Sequence, residues 1–313
     1  MNTIPFLHQY HQRFYLEEIL SLGIASLYNV MILVYADFPR GADIFVYNTI
    51  IIILIIAMRY IHHFTMRSWL TFIRDWYNML FILVIYLESN KLVPLINPND
   101  VDSIIIQIDR FLFLGNNPTV LLEALHFPLL TEILQIVYAS FYFLPFVLCV
   151  LLYFKGEKLE FHVTASTLMM GFYLSFVGYY LSPAIGPRFT LDHLQNIPLT
   201  GVFLFEYTRS VLDTLEGFTR DCCPSGHTLV AVLTTLLAYR YYRPFRFIAM
   251  TWTILLIIST VYLRYHYVFD LIAGFILALI VYRYGPALSM RYLFGKIFYQ
   301  EKLTGDDIQT LNP

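Results

Sequence analysis

Two histidines in polar company are the residues of this chain most able to do chemistry: His266 in LRYHYVFD (263–270) and His227 in RDCCPSGHT (220–228). His266 and Asp270 are four apart, so on a helix they share a face, where the carboxylate can accept the Nδ1 proton of the imidazole and leave Nε2 electron-rich. A histidine oriented in this way is a nucleophile. Taken alone, the same pair also reads as a satisfied polar pair at a membrane boundary. The second cluster supplies a complement. Pro224 suits an early helix position, Ser225 can cap, and Gly226 lets a ligand approach the backbone, so the first N–H groups of that helix form an anion site. Held there, His227 is placed to donate a proton to a departing oxygen as a general acid. Arg188, in SPAIGPR (182–188), Arg220 and Arg264 add planar donors that match phosphate oxygens. Three arginines, a helix start and two histidines describe phosphoryl transfer that needs neither metal nor cofactor. His227, His266 and Asp270 could ligate zinc in principle, but the arginines would repel the cation.

The elements that must position these residues are membrane helices. Hydrophobic residues make up 58% of the 313-residue chain and charged ones 13%, far from the balance of a soluble domain. A net charge of −2 gives no basic field for nucleic acid, and no polybasic run occurs. Eight apolar stretches reach the length needed to cross a bilayer, at roughly 18–36, 44–62, 70–87, 129–154, 161–182, 225–242, 245–263 and 266–285. The third carries Arg74 and Asp75 near its start and reads as beginning at the interface. No cleavable signal is evident in the first 17 residues, so the first span is expected to stay. Eight spans put both termini on one side, and alternate loops give that side thirteen of the twenty Lys and Arg, which makes it cytoplasmic. The three polar clusters then share one depth on the opposite, extracytoplasmic or lumenal side, of a bacterial inner membrane or a eukaryotic endomembrane.

Two further segments on that side are amphipathic. VDSIIIQIDRFLFLG places Val101, Ile104, Ile105, Ile108, Phe111 and Leu112 at helical spacing, and FLFEYTRSVLDTLEGF does so with Leu204, Tyr207, Val211, Leu212, Leu215 and Phe218. Both are expected to lie in the interface plane. The second is either packed on the bundle or a lid beside the site. Cys149, Cys222 and Cys223 are too few for a disulfide framework; the adjacent pair reads as structural, or as redox-sensitive in an oxidising compartment. His62, His63, His126 and His162 read as lone residues near span ends, and Tyr179, Tyr180, Tyr262, Tyr265 and Tyr267 as packing around the motifs.

PSGH at 224–227 and His266 followed by Asp270, within STVYLRYHYVFDLIAG, resemble the type 2 phosphatidic acid phosphatase superfamily, whose fold is shared with vanadium haloperoxidases. The resemblance covers about residues 100–285. It implies a covalent phosphohistidine on His266, oriented by Asp270, with His227 as proton donor and Ser225, the Gly226 backbone and the arginines holding the phosphate. Two positions depart from the family pattern: Leu181 stands where a lysine is usual, and Thr260 where an arginine is usual, with an arginine at 264 instead. This altered pattern, with YLSPAIGPR, YLRYHY and IDRFLFLGNNPTVLLE, looks more like the inositolphosphotransferase branch that contains inositol phosphorylceramide synthases.

The whole reads as an all-α, polytopic bundle of about eight spans with one or two interfacial helices. Residues 1–95 form accessory spans, 96–290 the phosphatase-like catalytic domain and 291–313 a cytoplasmic tail. The expected function is a membrane lipid phosphatase whose partners are a lipid phosphate and the membrane lipids. Transfer of the phosphoryl group to a polyol or other alcohol is the alternative, and a non-catalytic lipid carrier or transporter a distant one.

Overall fold

The computed structural model describes residues 13–36, 38–65, 67–216 and 220–305. Phe218 and residues 306–313 of the expected tail lie outside the described residues. The main helices are α1 (Leu16–Tyr35), α2 (Phe38–Thr65), α3 (Ser68–Ile96), α4 (Asp102–Leu112), α5 (Pro128–Ala139), α6 (Phe143–Lys155), α7 (Lys158–Leu181), α8 (Phe205–Glu216), α9 (Gly226–Tyr241), α10 (Arg246–Tyr262) and α11 (Val268–Gly305). No β-strand occurs among the described residues. The protein is a polytopic helical bundle and an integral membrane protein.

All eight expected spans are helical, but they are not equal. Six helices are long and apolar enough to cross a membrane singly: α1, α2, α3, α7, α10 with the turn before it, and α11. The expected fourth span is instead two helices, α5 and α6, meeting at 51°. Pro145 falls in the first turn of α6, where its missing N–H has no intrahelical carbonyl to lose, and Ser140 turns its hydroxyl onto the Val137 carbonyl at 2.7 Å while accepting the Trp252 indole N–H at 3.0 Å. The expected sixth span, α9, has only 16 residues. Ser225 caps it as expected, its Oγ accepting the Thr228 N–H at 3.2 Å. Apolar on every side, α9 runs through the centre of the bundle, with Leu229, Val230, Ala231 and Leu233 buried among α7, α10 and α11, as expected of a helix with protein all round it.

The end of the bundle remote from His227 and His266 carries charge inside. Arg74 and Glu18, both with fully buried side chains, are joined at 2.7 Å, and Arg74 also reaches His62 Nδ1 at 3.2 Å. His162 lies between Glu17 at 3.0 Å and Asp75 at 3.6 Å, and Tyr153 donates to Asp75 at 2.8 Å. This corrects an expectation. Neither His62 nor His162 is a lone residue near a span end: with Arg74 and Asp75, which lie inside α3, they are held in a buried network in which α1, α3 and α7 neutralise one another's charges, which hydrocarbon could not do. Arg74→Leu leaves the Glu18 carboxylate buried without its cation and is expected to cost about 3–5 kcal/mol, read as a loss of unfolding free energy in a denaturant titration of the detergent-solubilised protein.

Candidate functional site

The start of α9 and the loop leading into α11 bring the two histidines together. His266 Nε2 lies 3.3 Å from His227 Nδ1. His266 Nδ1 faces the Cys222 carbonyl at 2.9 Å, and because a carbonyl only accepts, Nδ1 carries the proton and Nε2 the lone pair. The nitrogen with the lone pair therefore points at the second histidine. Asp270 stands behind as expected, but its Oδ2 is 3.6 Å from Nδ1, an ion-pair distance rather than a hydrogen bond. That oxygen is taken by the Tyr267 N–H and the Cys222 thiol, each at 2.9 Å. The carbonyl of Cys222, not the carboxylate, sets the tautomer.

His227 is held by its faces. Tyr138 stacks on it with ring centroids 4.6 Å apart, Tyr265 stacks on Tyr138 at 4.1 Å, and the Arg188 guanidinium lies over Tyr265 at 5.2 Å. Both histidines line a cavity of about 50 Å3 with Arg188, Gly226, Ser175, Tyr179, Tyr86 and Asp221 among its walls, room for a few water-sized groups. Nitrogens 3.3 Å apart leave no room for a further atom between them.

The expected phosphate ligands separate. Arg188 lines the cavity and pairs with Asp213 of α8. Arg264 does not line it: buried and left-handed at φ 69°, a conformation that costs about 1–3 kcal/mol for such a residue, it is committed to Gln195 at 2.7 Å, Glu123 at 2.9 Å and the Ile197 carbonyl at 2.6 Å. Arg220 also stays outside the lining, bound to Asp100 at 3.1 Å. Ser225 is buried, serves as the cap and does not face the cavity. Gly226 does face it, and a side chain there would meet Tyr179 Oη at 2.7 Å, so tight packing against α7 requires glycine as much as a ligand would. Of the sequence-derived set, Arg188 and the orphan N–H groups of the α9 start remain as anion donors.

The scaffold that fixes these loops comes from α4. Asp102 accepts the N–H groups of Ile185 and Gly186 at 3.0 and 2.9 Å and the Tyr267 hydroxyl at 2.8 Å. Two turns along the same face, Asp109 accepts the N–H groups of Val268 and Phe269, each at 2.9 Å, and so caps α11. Ile105 between them packs with Ala184, Cys222, Cys223 and Tyr267. The expected apolar face of α4 is thus split: Ile105 is buried, while Ile104, Phe111 and Leu112 face outward. Helix α8 is anchored by Glu132, which accepts four N–H groups from Val202 to Phe205; of its expected apolar face, Leu212 packs against the cluster that holds Leu134 and Tyr138, while Leu204 just before the helix, Tyr207 and Val211 are exposed.

The residue that sequence reasoning undervalued most is Cys222. Burial, reinforced by the Asp270 carboxylate, holds its thiol well above the ordinary range, so it stays S–H and donates. Cys222 Sγ, His266 Nδ1 and Asp270 Oδ2 lie within 4.8 Å of one another, and a single soft cation could reach all three in place of the thiol proton. That trio differs from the one expected from sequence, which had His227 in place of Cys222. Cys222→Ala removes the donor but keeps the backbone carbonyl. It is expected to lower kcat about three- to tenfold, in line with roughly 0.5–1.5 kcal/mol for one hydrogen bond, with Cys222→Ser restoring most of it. The signal was present in the sequence as a cysteine five residues before a histidine, but its partner lies 48 positions away.

With this geometry in hand, the comparisons with known proteins are specific. A profile described as the PAP2 superfamily matches residues 103–284, more than half of the chain. The chain belongs to the PAP2 superfamily. A Dictyostelium discoideum protein described as a PA-phosphatase related-family protein is 29% identical over 126 residues, which span 38% of this chain and 23% of that relative. No solved structure matches. The PAP2 match takes in α4 through the first half of α11, and so contains every residue of the histidine cavity except Ile82 and Tyr86. The chain spans less than a quarter of the length of the curated relative that it matches.

Proposed function

We propose that the protein cleaves a lipid phosphoester through a phosphohistidine on His266. The observation that carries this reading is the 3.3 Å approach of His266 Nε2 to His227 Nδ1, with the His266 tautomer fixed from behind. In the first step Nε2 attacks phosphorus, the P–O ester bond breaks, and His227 hands a proton to the departing oxygen. Asp270 stabilises the cationic imidazole as the new N–P bond forms, and Arg188 leaves Asp213 to hold the phosphoryl oxygens. In the second step water attacks phosphorus, His227 takes its proton, the N–P bond breaks with its electron pair returning to His266 Nε2, and inorganic phosphate leaves. No group from outside the chain is required. By the distribution of basic loops the site faces away from the cytoplasm, with both termini cytoplasmic.

A second reading, transfer to an alcohol, draws on Asp221. This carboxylate lines the same cavity and accepts the Tyr86 hydroxyl at 2.6 Å. A carboxylate repels phosphate but accepts from a hydroxyl, so a polyol acceptor has a partner there. The two outcomes separate in one assay on purified protein in detergent, with a lipid phosphate labelled at phosphorus. Free phosphate in step with turnover supports hydrolysis. A new labelled lipid that appears only when a polyol is added supports transfer, and no consumption of any lipid phosphate under either condition removes both.

A further inference from the structure

A second cavity, about 590 Å3, lies between α3, the first turns of α6 and the middle of α7. Its volume is that of a small-molecule site, yet its walls are almost wholly aliphatic and aromatic, Leu80, Phe146, Leu168 and Met169 among them. Ile82, Tyr142 and Phe172 line both this cavity and the histidine cavity. The two spaces therefore meet at those three side chains. Along α3, Tyr86 faces the histidines and Phe72 the far end of the apolar space, fourteen residues or about 21 Å of helix away. Half the hydrocarbon core of a bilayer is about 15 Å, so a chain filling the length would pass the bilayer's midplane. Phe72, Leu80, Leu83 and Phe143 are exposed at the rim, and at this depth exposure means contact with lipid. The space opens sideways into the membrane, not to water. The 51° break between α5 and α6 sets Tyr142 at the junction and leaves the opening beside α3. Finally, α3 lies outside the family-matched stretch, so one wall is this chain's own.

We infer that this groove holds the hydrocarbon tail of the lipid whose phosphate reaches His266, and that Ile82, Tyr142 and Phe172 form the collar between tail and headgroup. The inference rests on the lipid phosphoester reading above. Continuity with the histidine cavity names the occupant: a polar headgroup finds Arg188 and the α9 start on one side of the collar, and on the other no charged side chain lines the space, whose few polar atoms belong to Trp76, Tyr77 and Cys149, the Tyr77 hydroxyl already donating to Glu18 at 3.0 Å. A tail gains little hydrophobic free energy by leaving lipid for protein, since both are apolar. The groove therefore acts by shape, selecting length and presenting the headgroup in register, and its effect belongs in kcat/KM.

The test fills the groove. Leu80→Trp, at an exposed rim position, and Ala165→Phe, in the α7 wall, are each assayed with hexadecyl phosphate and with butyl phosphate, with elution profile and unfolding temperature checked. The expected result is a loss of at least about tenfold in kcat/KM for hexadecyl phosphate, within the roughly 10–200-fold that pocket shape confers, with butyl phosphate unchanged within about twofold. Equal loss for both chain lengths, or no loss for either in folded protein, overturns the inference. A second arm does not need turnover. A photoreactive hexadecyl phosphate carrying its diazirine near the chain end should label residues in 72–83 or 142–149, and unlabelled hexadecyl phosphate should compete. Labelling there without competition marks a bulk membrane lipid and overturns the groove. Competed labelling in a protein that hydrolyses neither ester keeps the groove and removes the hydrolytic reading.

Discussion

Alanine at position 266 leaves no phosphate release above the uncatalysed rate and no phosphate on the protein after acid-free quenching, a loss of roughly 10^4–10^6-fold, the range for removing a nucleophile that works with a partner base. The size follows from the geometry. His266 Nε2 keeps a lone pair only because its other nitrogen is committed to the Cys222 carbonyl, and that lone pair accepts from His227 Nδ1 until a substrate takes its place. Asp270→Asn is expected to do much less, about 10–10^2-fold, with folding intact. Its carboxylate does not set the tautomer, and at 3.6 Å it contributes charge without a hydrogen bond. Single-turnover mixing with labelled lipid phosphate reads both variants. A labelled protein band that persists in His266→Ala removes His266 as the residue that carries the phosphate.

His227→Ala separates substrates by their leaving groups. An alkoxide departing from phosphorus needs a proton, and loss of the donor should slow hydrolysis of alkyl phosphates about 10^2–10^4-fold. Nitrophenolate departs unassisted, so hydrolysis of its phosphate ester should fall less than about tenfold. The stack of Tyr138 and Tyr265 against His227 predicts a lesser version of the same pattern: Tyr138→Ala frees the imidazole to wander, lowering the alkyl rate more than the aryl rate. Equal losses for the two leaving groups in His227→Ala would show that the histidine positions substrate and donates nothing.

The membrane class, the eight helical segments and the pairing of His227 with His266 were legible in the sequence, because apolar length, a Pro-Ser-Gly helix start and an i,i+4 pair are local signals. What was not legible is long-range. Arg264 reads as a phosphate ligand from its place two residues before His266, and the fold turns it onto Glu123, 141 positions away. The break in the fourth span hides inside continuous hydropathy, since a window average does not register where a chain turns between two helices. Asp102 and Asp109 read as polar members of an amphipathic helix. Their spacing of seven was visible, but that each would cap the backbone of a different motif requires knowing what lies beneath the helix.

The charged cluster at the far end of the bundle bears on how this protein can be divided. His162 lies within the family-matched stretch, yet both carboxylates that face it, Glu17 and Asp75, come from helices before it. A fragment beginning after α3 would present a polar ring on a bare apolar wall, with hydrocarbon offering no replacement partner. The segment that carries the chemistry is therefore not one that can be excised and assembled by itself, and a minimal enzyme cut from this polypeptide must keep its first three helices.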